Sequence, residues 1–273
     1  MKRVFIILTL MACLGMAQAQ DVARYRVTYE TEGQLRSSAS TKRNLRFTLD
    51  IGQQKALFYN AFNRAMVRET KALGPNASMA DAYKIMDKYP NAKRYGLEIL
   101  WNNPEKGEYT YLRDFSLTKL KYTDRLPDVE WQLCDSTRTI MEYACQMAVG
   151  TVEGRTWTVW YAQEIPFSYG PWLLGGLPGL ILEAEDADHL FSFSAIGLEE
   201  VEGQEPLALL NEESAVKCTK KRFREVRKQS ETDPVGFAAT LTGFVSKGAD
   251  ANGKPINYAE RNRGVTFHYL DKE

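Results

Sequence analysis

Gly175-Gly176-Leu177-Pro178-Gly179-Leu180-Ile181-Leu182 sets three glycines and a proline against large aliphatic side chains. Leu177-Pro178-Gly179-Leu180 reads as a type II turn. Proline presets a φ of about −65° at the first central position, and glycine supplies the positive φ required at the second. Leu180-Ile181-Leu182 then opens a strand that is apolar on both faces, as a buried strand is. The motif holds no nucleophile, acid or metal ligand. Gly176, Pro178 and Gly179 are therefore architectural residues, placed for backbone shape.

The segments around this turn read as an antiparallel meander. Short alternating runs cover Tyr143 to Val149, Thr156 to Ala162, Leu180 to Ala184 and Leu190 to Ile196. They are separated by Glu153-Gly154, by a Pro/Gly-rich stretch and by Glu185-Asp186-Ala187-Asp188. Upstream, Tyr25, Val27 and Tyr29 share one face of a first strand, and Arg46 to Ile51 and Ala56 to Tyr59 pair as the next two. Further strands are expected at 97–101, 109–112, 117–122 and 129–133. Between them the period changes. Ser78 caps a helix with Asp81 three residues on, and Met79, Ala82, Tyr83, Met86 and Tyr89 line one face before Pro90 ends it. Residues 60–92 are thus a helical excursion packed on the sheet. A second helical region, 219–245, carries Phe223, Val226, Phe237, Ala238, Leu241 and Phe244 on either side of a break at Asp233-Pro234. Gly248 to Pro255 reads as a linker, and Gly264 to Leu270 as a final strand.

The run from Tyr143 to Ile196 resembles the GLPGLI family of secreted or cell-envelope proteins of Bacteroidetes-type bacteria. The hexapeptide is Gly176-Leu177-Pro178-Gly179-Leu180-Ile181. Its context is Tyr143-Ala144-Cys145, Gly154-Arg155, Trp157, Trp160-Tyr161, Glu164-Ile165-Pro166 and Gly170-Pro171-Trp172, in that order. The resemblance implies a coherent fold and an envelope location. It supplies no catalytic residues.

The first nineteen residues point the same way. Lys2 and Arg3 precede an apolar stretch from Val4 to Met16, and Ala17-Gln18-Ala19 is a small-residue processing site, the pattern of a secretory signal peptide. A lipoprotein reading, with Leu10-Met11-Ala12 before Cys13, fits less well because the apolar run continues past the cysteine. Domain organisation is then a signal peptide, 1–19, and one domain, 20–273. No other stretch approaches the roughly 20 apolar residues of a membrane helix. Lys+Arg and Asp+Glu each number 35, and loss of Lys2 and Arg3 leaves a slight acidic excess, so charge gives no reason to expect nucleic acid. Outside the signal, Cys134, Cys145 and Cys218 allow one disulfide at most. One reading bridges Cys134 and Cys145 across a turn at Asp135-Ser136-Thr137. The other makes all three small buried apolar side chains.

No local constellation carries chemistry. His189 and His268 are the two histidines, and neither sits beside a nucleophile in sequence. Glu183, Glu185, Asp186 and Asp188 lack the spacing of a calcium loop and read as a solvated hairpin tip. The seven basic residues between Lys217 and Lys228 read as an exposed helix face. No catalytic residue, metal ligand or cofactor is assigned. The aromatic stretch is the candidate binding surface, with Trp157, Tyr161, Tyr169 and Trp172 as contacts for a lipid, glycan or peptide; the competing reading packs these rings in the core, and at least one face of the strand belongs there.

The expected fold class is α+β: a curved, half-barrel-like antiparallel sheet with helices near 60–92 and 219–245. The expected function is a non-enzymatic exported envelope protein, periplasmic or at the cell surface, binding an apolar or amphipathic ligand or a partner protein. The alternatives are a secreted hydrolase with dispersed carboxylates, directed at glycan or peptide, and a structural component of a surface assembly.

Overall fold

Along β1 (Tyr25–Gly33), Val27, Tyr29 and Thr31 are buried while Glu30 and Glu32 face solvent. That alternation commits one face of the strand to a core. The same logic holds around the sheet in a computed structural model that describes residues 20–38, 43–89, 96–115, 118–202, 205–243 and 253–272. The remaining strands are β2 (Arg43–Ile51), β3 (Ala56–Asn60), β4 (Leu97–Trp101), β5 (Glu108–Asp114) and β6 (Lys119–Arg125). After them come β7 (Gln132–Ile140), β8 (Tyr143–Val152), β9 (Arg155–Ala162), β10 (Leu180–Asp186), β11 (Phe191–Glu200) and the short β12 (Val216–Lys217).

These strands form one sheet in the order β12-β6-β5-β4-β3-β2-β1-β11-β10-β9-β8-β7, antiparallel except for the β12–β6 pair. Two meanders meet along the β1–β11 seam. Connectivity forces the sheet to curl. β6 and β7 lie ten strand spacings apart, about 48 Å if the sheet were flat. The chain from Arg125 to Gln132 reaches about 25 Å at full extension. The sheet therefore bends, and its inner face encloses one continuous apolar cluster running from Phe47 and Phe58 through Tyr111 and Trp157 to Phe193. Leu57, Tyr59, Leu100, Leu112, Leu207 and Leu209 make a smaller cluster with alternate side chains of the same strands.

Helices α1 (Ala61–Ala72) and α2 (Met79–Lys88) form the expected excursion, and Ser78 Oγ accepts the Asp81 N–H as its cap. Residues 90–92 lie outside those described. α1 buries Asn63, Arg64 and Met66, whereas α2 buries nothing: Met79 is 72% and Tyr83 55% exposed. Of the expected apolar stripe, Met79 and Tyr83 are exposed, while Ala82, Met86 and Tyr89 are half-buried and the Tyr89 ring lies 6.5 Å from Phe62 of α1. The ties of α2 to α1 are at its end, where Lys88 and the Tyr89 hydroxyl both reach Glu69.

Helices α3 (Lys220–Thr232) and α4 (Pro234–Thr242) break at Asp233-Pro234 as expected, and a short α5 (Tyr258–Arg261) follows. Phe223 packs against Tyr111, Phe115 and Tyr122, with ring centroids 5.0–5.6 Å apart. Phe244, Leu117, Pro90, the signal segment and most of the expected 248–255 linker fall outside the described residues.

Segment 163–179 fills the curl. Trp172, Leu173, Leu174 and Leu177 are buried in the main cluster, and two tryptophans from opposite sides grip its backbone. Trp101 Nε1–H donates to the Trp172 carbonyl at 3.1 Å, and Trp131 Nε1–H donates to that of Gly175 at 2.9 Å. Trp131 belongs to the 126–131 crossing, so the bridge between the sheet edges also holds the plug. The type II turn at Pro178-Gly179 is not formed as expected. Positive φ occurs at Gly176, at 88°, and Gly179 is not among the left-handed residues. Gly179 is needed because a Cβ there would lie 2.2 Å from the Ala162 carbonyl oxygen.

Two further expectations are corrected. β7 continues through Asp135-Ser136-Thr137 with a register shift between Leu133 and Thr137, the hairpin turns at Met141-Glu142, and Cys134, Cys145 and Cys218 are free thiols. Residues 264–270 are no strand. They make one isolated bridge, Arg36 to Phe267, and otherwise cross the sheet end as an irregular strap.

Candidate ligand site

The strap takes its place from two loops, β1–β2 and β8–β9. His268 N–H donates to the Leu35 carbonyl, Ser37 N–H to that of Thr266, and Lys272 N–H to that of Glu153, at 2.8–3.0 Å. Beneath it lies Arg155, the first residue of β9 and 3% exposed. Its Nη2 donates to the Tyr269 carbonyl at 2.8 Å and its Nε to that of Leu270 at 3.3 Å. Nη1 bonds the carboxylates of Asp186 and Asp188. The Phe191 ring lies under the guanidinium at 5.0 Å.

Asp186 is 1% exposed, and its oxygens also accept the N–H groups of Leu190 and Phe191 at 2.8 and 2.6 Å. A buried ion pair survives only when its remaining hydrogen-bonding positions are filled. Here backbone groups fill them, so one pair fastens the β10–β11 turn, the start of β9 and the strap together. The acidic stretch 183–188 is accordingly not all solvated tip: Glu183 and Glu185 face outward, and Asp186 faces in.

The basic stretch on α3 is likewise turned partly inward. Arg227, 3% exposed, and Arg224 both hold Asp271, while Lys220 bridges Asp124 and Glu153. Burial pushes the Asp271 carboxyl up, but the Arg227 charge and hydrogen bonds, with Arg224, outweigh it and hold it below the usual carboxylate range. His268 is pushed below its ordinary value by burial first and by the Arg155 charge second. Lys272 holds the exposed Asp188 carboxyl low.

Between the strap, the β10–β11 turn and the last turns of α3 lies a cavity of about 670 Å³. Its walls combine Phe267, Tyr269 and Leu190 with Asp188, Lys228 and His268. That size suits a small organic ligand, and the mixture of rings with hydrogen-bonding groups suits a polyhydroxylated one. Among the described residues no cluster of His, Cys, Asp and Glu is arranged to hold a metal ion.

Acid should loosen the strap. A histidine whose folded pKa lies below its unfolded value of about 6.5 contributes stability above that pH, lost as pH falls through the folded pKa. Asp271, also depressed, contributes above about pH 3.9, and that share is lost as pH falls through its own folded value. Melting temperature is expected to fall as pH drops below about 6.5, with amide exchange in 265–272 rising first. His268→Phe should flatten the upper part of that decline.

The aromatic residues expected to meet a ligand occupy other positions. Trp157, Tyr161 and Trp172 are 0–1% exposed, and the Trp157 and Trp172 rings lie 5.9 Å apart inside the curl. A sheet this bent needs large side chains to fill it, so these three rings take the core reading rather than the surface one. Tyr169 is half-buried, with its hydroxyl on the Gln54 carbonyl and the Asn102 amide. His189 is exposed and bonds Glu185 at 2.8 Å. Sequence pattern missed Arg155, His268 and the strap as site components, although Gly154-Arg155 at a hairpin tip marked a cation placed to reach beyond its own strand.

Residues 95–221 match the family model described as N-glycanase peptide, N-terminal domain. No curated relative matches the sequence. Two solved structures of PNGF-II, in space groups P21 and C2, superpose with TM-scores of 0.53 and 0.52 at 15% and 16% identity. Each alignment covers 77% of this chain but 34% and 33% of those chains, so the protein spans about a third of their length. A LolA superfamily protein from Nitrosomonas europaea aligns at 10% identity over 71% of this chain and 90% of that one. Its TM-score is 0.25. No helix among the described residues is long and apolar enough to cross a membrane. The curled α+β sheet is a fold this chain shares with part of PNGF-II.

Proposed function

We propose that the chain is an exported, non-catalytic module of the GLPGLI type, released from its signal segment after Ala19, that binds carbohydrate in the cavity beneath the strap. The observation that carries this reading is the cavity itself, walled by Phe267 and Tyr269 together with Asp188, Lys228 and His268. The match of residues 95–221 to an N-glycanase N-terminal domain favours glycan over the lipid and peptide alternatives. Sugar rings present C–H faces to aromatic side chains and hydroxyls to charged ones, and this wall supplies both.

A hydrolase with paired carboxylates would need one acid held protonated near neutral pH. The displaced carboxyls, Asp21, Glu69, Asp81, Asp124, Asp188, Glu205 and Asp271, all move downward. Their hydrogen bonds tie turns, caps and the strap, which supports binding over catalysis.

Titration with an Asn-linked glycopeptide, against the same peptide without sugar, tests the reading. Binding that requires the sugar and weakens at least tenfold in Phe267→Ala or Lys228→Ala is the expected result. Equal response to both peptides, or unchanged affinity in both variants, rejects this cavity as a glycan site.

A further inference from the structure

We propose that the sugar taken by the cavity beneath the strap is an acidic one, held through its carboxylate or sulfate by Lys228 and His268. This deepens the carbohydrate reading of the cavity and rests on it. The choice follows from which polar groups of the wall are already committed. Both of its carboxylates hold two cations each: Asp188 is bonded by Arg155 and Lys272, and Asp271 by Arg224 and Arg227. Arg155 is taken up by Asp186, Asp188 and the carbonyls of Tyr269 and Leu270. Lys228 differs. It is exposed on α3 and lines the cavity, and among the described residues its ammonium has neither a carboxylate nor a hydrogen-bond partner. The His268 ring likewise has no hydrogen-bond partner among them, although its backbone N–H is bonded to Leu35.

Charge closes the same way. The ion pairs of this region balance, the Arg224–Glu153–Lys220–Asp124 chain included, and Lys228 is the charge left over. Arg36 adds a second cation without a carboxylate among the described residues, its guanidinium 5.0 Å from the ring centroid of Phe267 in the wall. A neutral glycan asks for acceptors as well as donors around its hydroxyls. The uncommitted groups here are an ammonium, with three donors and no acceptor, and one imidazole. The lowered pKa of His268 leaves its ring neutral near neutral pH, so it contributes one N–H and the charge comes from Lys228. An anionic substituent on the sugar would gain charge-assisted hydrogen bonds from this pair that a hydroxyl does not. Phe267 and Tyr269 would still meet the C–H faces of the ring.

One Asn-linked glycopeptide in three forms tests this: ending in sialic acid, desialylated, and desialylated but sulfated on its terminal sugar. At least one acidic form is expected to bind about tenfold more tightly than the neutral form. That margin should shrink as salt is raised. The tighter of the two acidic forms identifies the anion. Lys228→Gln, at an exposed position and an unchanged melting temperature, should bring the three forms to within about twofold of one another. Lys228→Arg should keep the margin, and Phe267→Ala should weaken all three forms alike. Equal affinity for the three forms in the unaltered protein, or a margin that survives Lys228→Gln, overturns the acidic-sugar inference while leaving carbohydrate binding intact. Failure of every form to bind, or unchanged affinity in Phe267→Ala, rejects the carbohydrate reading of the cavity, and the inference falls with it.

Discussion

Gly179→Ala is expected to destabilise the protein by about 3 kcal/mol, with Gly179→Val worse, because the added carbon meets backbone rather than a yielding side chain. The Ala162 carbonyl oxygen, its carbon and the Gln163 Cα all lie within 2.9 Å of the position a Cβ would take. Ala162 is the last residue of β9 and pairs with Leu180, so the clash cannot be relieved without opening the β9–β10 ladder. Gly176→Ala provides the contrast. Its φ of 88° is strained for a side chain, but the nearest atom to an added Cβ is 3.9 Å away. A cost of about 1–2 kcal/mol is expected for that variant. Urea unfolding with an unchanged m-value would measure both. If Gly176→Ala proved the more damaging, close approach would not be the reason for glycine at 179.

Arg155→Met should cost about 3–5 kcal/mol, the range for breaking one side of a buried pair. Asp186 would stay buried with its Leu190 and Phe191 donors but without its counter-charge, and the Tyr269 and Leu270 carbonyls would lose theirs. The strap should therefore come loose, seen as faster amide exchange across 265–272. Asp186→Leu alone should be comparably severe. The double variant should recover part of the loss, because an apolar pair removes the charge penalty but leaves the backbone groups unmatched. Full additivity of the two single changes would show that the residues do not act as a pair.

Much of the sheet was legible because its signal is local. β8, β9, β10 and β11 start or end within a few residues of the alternating runs, since each strand buries one face and turn residues bound it. Ser78 and Asp81 marked the start of α2 for the same reason. Failures arose where a residue's role depends on distant chain. Glycine at 179 was legible, but local pattern cannot separate a left-handed turn from an approach to Ala162. Asp186 looked like the solvated acids around it, and its burial depends on Arg155 in another hairpin. Alternation in 264–270 imitated a strand, although its partners Leu35 and Ser37 lie in the β1–β2 loop rather than along a sheet edge. The aromatic stretch could be core or surface until the 126–131 crossing fixed how tightly the sheet bends.

The seam between β1 and β11 sets the order of assembly. Tyr25 through Gly33 find their second neighbour only when Phe191 through Glu200 arrive, so this contact closes a loop holding most of the polypeptide. Long closures of this sort slow folding. A chain with such topology cannot complete its central strand pairing while its later half is still being synthesised.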